Sequence, residues 1–528
     1  MNATALPLTR KKWAFILFLV TAVLSIQLCR IGRPYSGHFA SYQANGLASI
    51  ARNMLRENFR EWYLPKTDLI VGGKKSLHLN AYPLPSVFAG LGIKVFGGTL
   101  EFWGRFPSIL FNLFSILLVG RIAARWFHPR VGWAASAVYA LSPYSLIYGQ
   151  GFFFEPSATF LVLSSIWLLT DGLKKELPSG LVLLAGFLFS LAVTERIHFI
   201  LLYPAFVLQL FLVREKKLLK ILLFTLATFL TPIIWYGYTY FVSLRASNVH
   251  TNLFLQAATR VWQDKSLLFS FPYYLKLFDT ISGVMLTPLV FPFLWLGFLG
   301  VKKEGRSFFF LLSYLIFGSL IVLLSPQKVV DQDFYLFSAF PFFAMVAGYG
   351  LSQTWVAWDL RRRTFATALF LALYLVISSR YFLHPIFKAH EKMDTIINAA
   401  ESIRNHTAPE EFFVFAGREP TLLAYYADRP HWIMNLASVG APLRPYHRVY
   451  RFSGNDPAEI EGLEAAMKDP VSWLDYFRKK GARYLAAAPR SELESAPALL
   501  HYLEEQGERI SRDQDDFYLF RLKNPSEP

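Results

Sequence analysis

FPSILFNLFSILLVGRIAARWFHPR, residues 106–130, decides the fold. Its first part, 106–124, is almost wholly apolar and long enough to cross the roughly 30 Å of hydrocarbon in a bilayer. Its end brings Arg121, Arg125 and Arg130 together at the close of that run and just past it. Basic residues collect at the cytoplasmic ends of spans, so this stretch runs from outside to inside.

Working outward, apolar runs recur at 13–29, 132–148, 156–171, 179–194, 197–213, 218–242, 283–300, 307–325, 334–352 and 364–383. The reading is an α-helical polytopic membrane protein with about eleven spans. Lys174 and Lys175, the REKK run at 214–217, the KKEGR run at 302–306 and Arg361 to Arg363 then all fall on one side with Arg10, Lys11 and Lys12. The N-terminus is expected in the cytoplasm, and residues 12–29 are read as an uncleaved first span. Composition agrees: 54% hydrophobic residues, with 50 Phe and 13 Trp, exceed what a soluble core requires. The net charge of +16 is carried largely by these short loops, so orientation in a membrane explains it and a nucleic-acid partner is not needed. A single cysteine, Cys29, excludes an intrachain disulfide.

Two regions break the pattern. The loop 30–104 is too polar to span and is expected outside. Within 39–60, Phe39, Tyr42, Leu47, Ile50, Met54 and Leu55 recur at helical spacing, with Arg52, Arg56 and Arg60 on another face. That reads as an amphipathic helix on the membrane surface. The tail 386–528 has ordinary charge density and short strand-like runs, EFFVFA, HWIMNL, RYLAAA and DFYLFRL, with helical stretches between. It is expected to be a soluble α/β domain on the outer face, beside a transmembrane domain at 1–385.

An ionisable residue at a span end is costly unless paired or wet, so each is a functional candidate. On the outer side these are Glu155, the Glu195, Arg196 and His198 group, and Lys328, Asp331 and Asp333. The first loop adds His38, Arg52, Lys74, Lys75 and His78. Each has a plainer alternative. Glu155 precedes Pro156 and also suits an acid at a helix N-terminus. Glu195 with Arg196 also suits a simple ion pair, although Arg196 could bind a phosphate bidentately. Asp331 and Asp333 also suit a solvated loop. Arg52 and its neighbours suit lipid headgroups as well as a substrate phosphate.

The segments SIARNML (49–55), AYPLP (81–85), EFWGRFPSILF (101–111), ALSPYSLIYGQGFFFEP (140–156), LAVTERIHF (191–199) and DFYLFSAFPFFAMVAGYGL (333–351) occur in this order. Together, over roughly residues 10–385, the chain resembles the polytopic glycosyltransferases of the C-type fold. Within that class it resembles the bacterial relatives of protein O-mannosyltransferases and of the lipid A aminoarabinose transferase (glycosyltransferase family 39-like). The resemblance implies a polyprenyl-phosphate-linked sugar donor and inverting transfer to a glycan, lipid or protein acceptor. It places the reaction on the outer face of the bacterial inner membrane. It implies Glu155 as an acid near the acceptor, and Lys74, Lys75 and Arg196 near the donor phosphate. Tyr335 falls in a Tyr-Leu segment close to the site, and Arg52, Glu195, His198 and Asp331 complete the set of candidate substrate contacts.

One departure stands out. The acid expected early in the first loop is missing: no Asp or Glu lies between Arg30 and Glu57, and Ala81 stands where a second acid is common. His38 or Glu155 could serve as base, or the chain could bind lipid-linked glycan without transferring it, or act as a flippase on the same scaffold. No metal-spaced cluster is evident; a divalent cation is left open, and no other cofactor is implied.

Overall fold

The computed structural model describes residues 20–523, apart from 37–38, 72–73, 171–176, 213–216, 247, 253–264, 358–368, most of 370–390, 418–419, 437–438 and 440–456. His38, much of the expected first and last spans, and several of the basic loops lie outside the described residues.

Among the described residues, three helices are long and apolar enough to cross a membrane: Leu100–Trp126, Lys217–Arg245 and Arg306–Leu324. A fourth candidate is a bent pair, Pro143–Gln150 and Glu155–Thr170, which meet at 113°. Other apolar runs of the sequence are helical but do not reach that measure, such as Ser179–Glu195 and Phe340–Ala357. The Lys217–Arg245 helix exposes Leu218, Leu222, Leu226, Leu230 and Ile234 along one side. A four-residue repeat of bare aliphatic side chains would be an aggregation hazard in water and is the ordinary state of a helix in lipid.

The chain divides into two compact units, each assembled from three separate segments. The first comprises residues 1–33, 104–234 and 263–383. Helix–helix contact in it relies on small residues. A Cβ on Gly297 would overlap the Val346 carbonyl oxygen, one on Gly350 would overlap the Phe293 carbonyl oxygen, and Gly348 abuts the Ala135 backbone. The Phe291–Val301, Pro129–Leu141 and Phe340–Ala357 helices therefore approach backbone to backbone, where lipid tails supply no hydrophobic drive and close van der Waals contact holds helices together. Aromatic rings fill the rest. Tyr314 stacks with Trp126 and Phe342 and donates to Gln209 Oε1 at 2.6 Å.

The second unit comprises residues 34–103, 235–262 and 384–528. It holds one eight-stranded sheet: β1 (Lys66–Val71), β2 (Lys74–Leu79), β3 (Val249–Asn252), β4 (Phe413–Gly417), β5 (His431–Asn435), β6 (Tyr484–Ala487), β7 (Gly507–Arg509) and β8 (Tyr518–Leu522), in the order β3-β2-β1-β5-β4-β6-β8-β7. All four strand-like runs of the tail are strands, and the expected helices between them are present at Pro457–Ala466 and Pro497–Gln506. The tail does not close its own sheet. Its edge strand β5 pairs in parallel with β1 of the first loop, and the β1–β2 hairpin continues the sheet. In this division the loop 34–103 groups with the tail and not with the apolar helices.

The amphipathic segment of the first loop is a π-helical stretch, Tyr42–Ala48, running into an α-helix, Ser49–Arg56. Its apolar face does not stand free for lipid. Leu47, Ile50 and Met54 are buried, and the Ser49–Arg56 helix packs on β1 and the Leu84–Phe96 helix. The exposed apolar stripe is on Leu84–Phe96 instead, where Phe88, Leu91, Val95 and Phe96 are uncovered.

Candidate active site

In the first unit, four elements bring together several of the ionisable candidates. The Ser179–Glu195 helix ends at Glu195, with Arg196 as its C-cap in extended conformation. Arg196 is favoured there because a helix C-terminus carries partial negative charge. His198 follows in a 3-10 turn, Ile197–Leu202. Glu155 opens the Glu155–Thr170 helix after the irregular Gly151–Phe154 stretch, and Asp333–Ser338 forms a second 3-10 turn.

Arg196 is the hub. Its guanidinium lies over the Phe154 ring at 4.7 Å and the Phe334 ring at 4.9 Å, so two rings fix its position. Its Nη2 is 2.6 Å from Glu155 Oε1. Glu155 is fully buried, with 0% side-chain exposure, and Arg196 keeps 11%. Glu195 Oε2 accepts from Ser157 Oγ at 2.6 Å. The His198 ring meets Tyr335 edge-on at 4.9 Å, and Lys328 Nζ lies over the same Tyr335 ring at 5.4 Å. Tyr148 donates its hydroxyl to Asp333 Oδ1, and Tyr144 donates to the Asp333 carbonyl at 2.6 Å.

Among the described residues, the buried polar atoms of this group without a hydrogen-bond partner include Glu155 Oε2, Glu195 Oε1 and His198 Nε2. Buried polar atoms are nearly always satisfied, so such orphans within one cluster are the mark of a site that a ligand or water completes. Chemically the cluster offers a fixed cation for an anion, carboxylates that can accept a proton, and an imidazole.

Asp331 is not part of this arrangement. It is exposed and accepts from Gln327 Nε2 at 2.9 Å on its own short helix. Asp333, two residues on, is the acid whose side chain joins the group through Tyr148.

Lys74, Lys75 and Arg52 belong to the second unit, on the hairpin and the Ser49–Arg56 helix. Lys74 is exposed. Lys75 and Arg52 converge on an acid that sequence reading passed over, Asp68. Arg52 Nη2 is 2.6 Å from Asp68 Oδ2, Lys75 Nζ is 3.0 Å from Asp68 Oδ1, and Asn53 Nδ2 donates to the same oxygen at 3.1 Å. Asp428 of the tail takes Arg52 Nε at 3.2 Å and also Arg56. Asp68 is buried, yet Arg52 and then Lys75 outweigh its desolvation and hold its carboxyl below the usual range. The signal for Asp68 was present: two β-prone runs flank Gly72 and Gly73, which marks a hairpin. In that hairpin Ile70 faces Lys75, so Asp68 shares a sheet face with Lys75.

Among the described residues, no group of three or more His, Cys, Asp or Glu side chains is placed to hold a metal ion.

Residues 80–236 match the family model described as dolichyl-phosphate-mannose-protein mannosyltransferase. No curated protein sequence matches the chain. Among solved structures, the chain is similar to ArnT from Cupriavidus metallidurans bound to undecaprenyl phosphate. The two are 14% identical with a TM-score of 0.64, covering 96% of this chain and 98% of that one. It is similar to the archaeal oligosaccharyltransferase AglB from Archaeoglobus fulgidus in complex with an inhibitory peptide and a dolichol-phosphate, at 12% identity, TM-score 0.54, and 98% and 75% coverage. It is also similar to the arabinofuranosyltransferase AftD from Mycobacteria, at 16% identity, TM-score 0.55, and 96% and 41% coverage. The fold is that of the C-type glycosyltransferases, as the sequence resemblance implied.

Proposed function

We propose that this chain is a membrane glycosyltransferase that moves a sugar from a polyprenyl-phosphate donor to an acceptor, with inversion at the anomeric carbon. The observation that carries the reading is the clamped Arg196 with Glu155 beside it. In the reaction, an acceptor hydroxyl or amine attacks the anomeric carbon, and the bond from that carbon to the phosphate oxygen breaks. The electron pair leaves with the lipid phosphate, and the acceptor's proton passes to a carboxylate. Charge grows on the phosphate, so a cation already fixed in place lowers the barrier without reorganising. Arg196 has that role, and Glu155 takes the proton. Glu195, His198, Tyr335 and Asp333 line the same site. The family-model match and the lipid phosphates bound in two of the similar structures support the donor class.

In this reading the chain lies in the bacterial inner membrane with about eleven spans, its N-terminus cytoplasmic and its tail outside. The tail helps to recognise the acceptor, which is a glycan, lipid or protein.

Two observations favour a second reading, a lipid-glycan binding protein without transfer. No acid lies between Arg30 and Glu57, and Glu155 is tied to Arg196. Purified protein incubated with radiolabelled polyprenyl-phosphate sugar decides between them. Transfer to an acceptor, or release of free sugar, supports the enzyme. Saturable binding with neither product supports the second reading.

A further inference from the structure

Arg196 meets a carboxylate before it meets any substrate. Two rings hold its guanidinium, and Glu155 Oε1 lies 2.6 Å from Nη2 in a site with almost no exposure to solvent. A carboxylate and a phosphate present the same thing to a guanidinium, a pair of anionic oxygens matched to its fork. A second anion entering beside Glu155 would be repelled at close range in a poorly screened interior. The rings leave Arg196 little freedom to move toward a new partner, so the exchange must come from the carboxylate.

We propose that Glu155 is a placeholder for the donor's phosphate: it occupies Arg196 in the empty site and is displaced when the phosphate arrives, which frees it to take the acceptor's proton. This rests on the reading of Arg196 as the cation that receives the phosphate. Glu155 is placed to move. It is the first residue of its helix, preceded by non-helical backbone at Gly151–Phe154, and the helix N-terminus favours the carboxylate in a released position too. Its Oε2 has no hydrogen-bond partner among the described residues, and the contacts that hold the carboxylate are the Arg196 ion pair and its own backbone amide, which can follow it on release.

The arrangement orders the reaction. Glu155 is unavailable as a base until donor is bound, so the acceptor is activated only when there is a sugar to take. It also taxes donor binding, because the pair must open before phosphate can enter.

The test is binding of undecaprenyl phosphate to the full-length protein in detergent, with sugar transfer read in parallel. Glu155→Gln removes the competing charge, so phosphate should bind more tightly, on the order of tenfold, while transfer is lost. Arg196→Gln should weaken binding by a similar factor or more. In the double variant the gain from Glu155→Gln should vanish, because the guanidinium for which carboxylate and phosphate compete is gone. Glu155→Asp, with a carboxylate one methylene shorter, should fall between wild type and Glu155→Gln and covers the case in which the amide destabilises the fold. Unchanged or weaker binding in both Glu155 variants, with Arg196→Gln still defective, overturns the placeholder and leaves the phosphate reading of Arg196 standing. Unchanged binding in Arg196→Gln overturns the reading on which the placeholder depends.

Discussion

Leu69 of the first loop and His431 of the tail are parallel register partners in one sheet. Around that pair, Arg52 donates to the Tyr425 carbonyl at 2.8 Å and lies over the Tyr425 ring at 4.4 Å. The loop and the tail are therefore a single folded body. An unpaired β5 edge would otherwise offer its backbone to any passing strand.

Asp68 holds this junction together, so its loss should be felt in stability. Asp68→Asn leaves Arg52 and Lys75 facing a neutral amide in a buried position. The expected cost is about 3 kcal/mol, tempered by the part-exposure of Lys75. Thermal unfolding and limited proteolysis of the tail check it. A midpoint and cleavage pattern like wild type would contradict it.

The same junction should be sensitive to mild acid. His431 is fully buried, with Nδ1 2.8 Å from the Arg429 carbonyl. Burial holds its pKa below the ordinary value. The Arg429 carbonyl and Asp68 pull the other way, and Arg52 and Lys75 add to the lowering. The unfolded chain thus binds a proton below about pH 6.5 that the folded chain resists, and stability falls as pH drops through that value. Asp68 does not contribute in this window. Its lowered pKa makes its stabilisation present above the unfolded carboxyl value, near 4, and lost only in stronger acid. Unfolding midpoints between pH 7.5 and 5.5 should decline for wild type and decline less for His431→Phe. Equal slopes would remove His431 as the cause.

Within the first unit, the helix crossings at Gly297 and Gly350 leave no room for a side chain. A Cβ at either position meets a backbone carbonyl, which cannot swing aside. Gly297→Val should abolish monodisperse, folded protein in detergent, whereas Gly180→Ala, where nothing lies near, should be neutral. Normal chromatography and melting of Gly297→Val would refute the backbone-to-backbone packing.

Much of this was legible. Charge at a span end is so costly that Glu155, Glu195, Arg196, His198 and Asp333 could be picked out without a structure, and they do come together. The tail's strands were legible because Phe413–Gly417 and Tyr518–Leu522 are short, apolar and aromatic-rich. The sheet that joins loop to tail was not. Arg52 and Tyr425 are 373 positions apart, and strand pairing at that distance leaves no local pattern in either segment. For the same reason Lys75 and Arg52 read as open cations when each has Asp68 beside it.

Arg196 should be intolerant even of a conservative change. Lysine keeps the charge but loses the planar group that lies between Phe154 and Phe334 and the fork that matches a phosphate. Arg196→Lys should lower kcat about 10²-fold with the protein still folded. A variant as active as wild type would show that only the charge matters there.

The central claim is that Glu155 and Arg196 perform sugar transfer. It is tested most directly by following transfer from a radiolabelled polyprenyl-phosphate sugar with wild-type protein and with Glu155→Gln, both shown to be folded. Loss of the proton acceptor should slow transfer by about 10²–10⁴-fold while donor binding is not weakened. Transfer by Glu155→Gln at the wild-type rate would contradict the assignment.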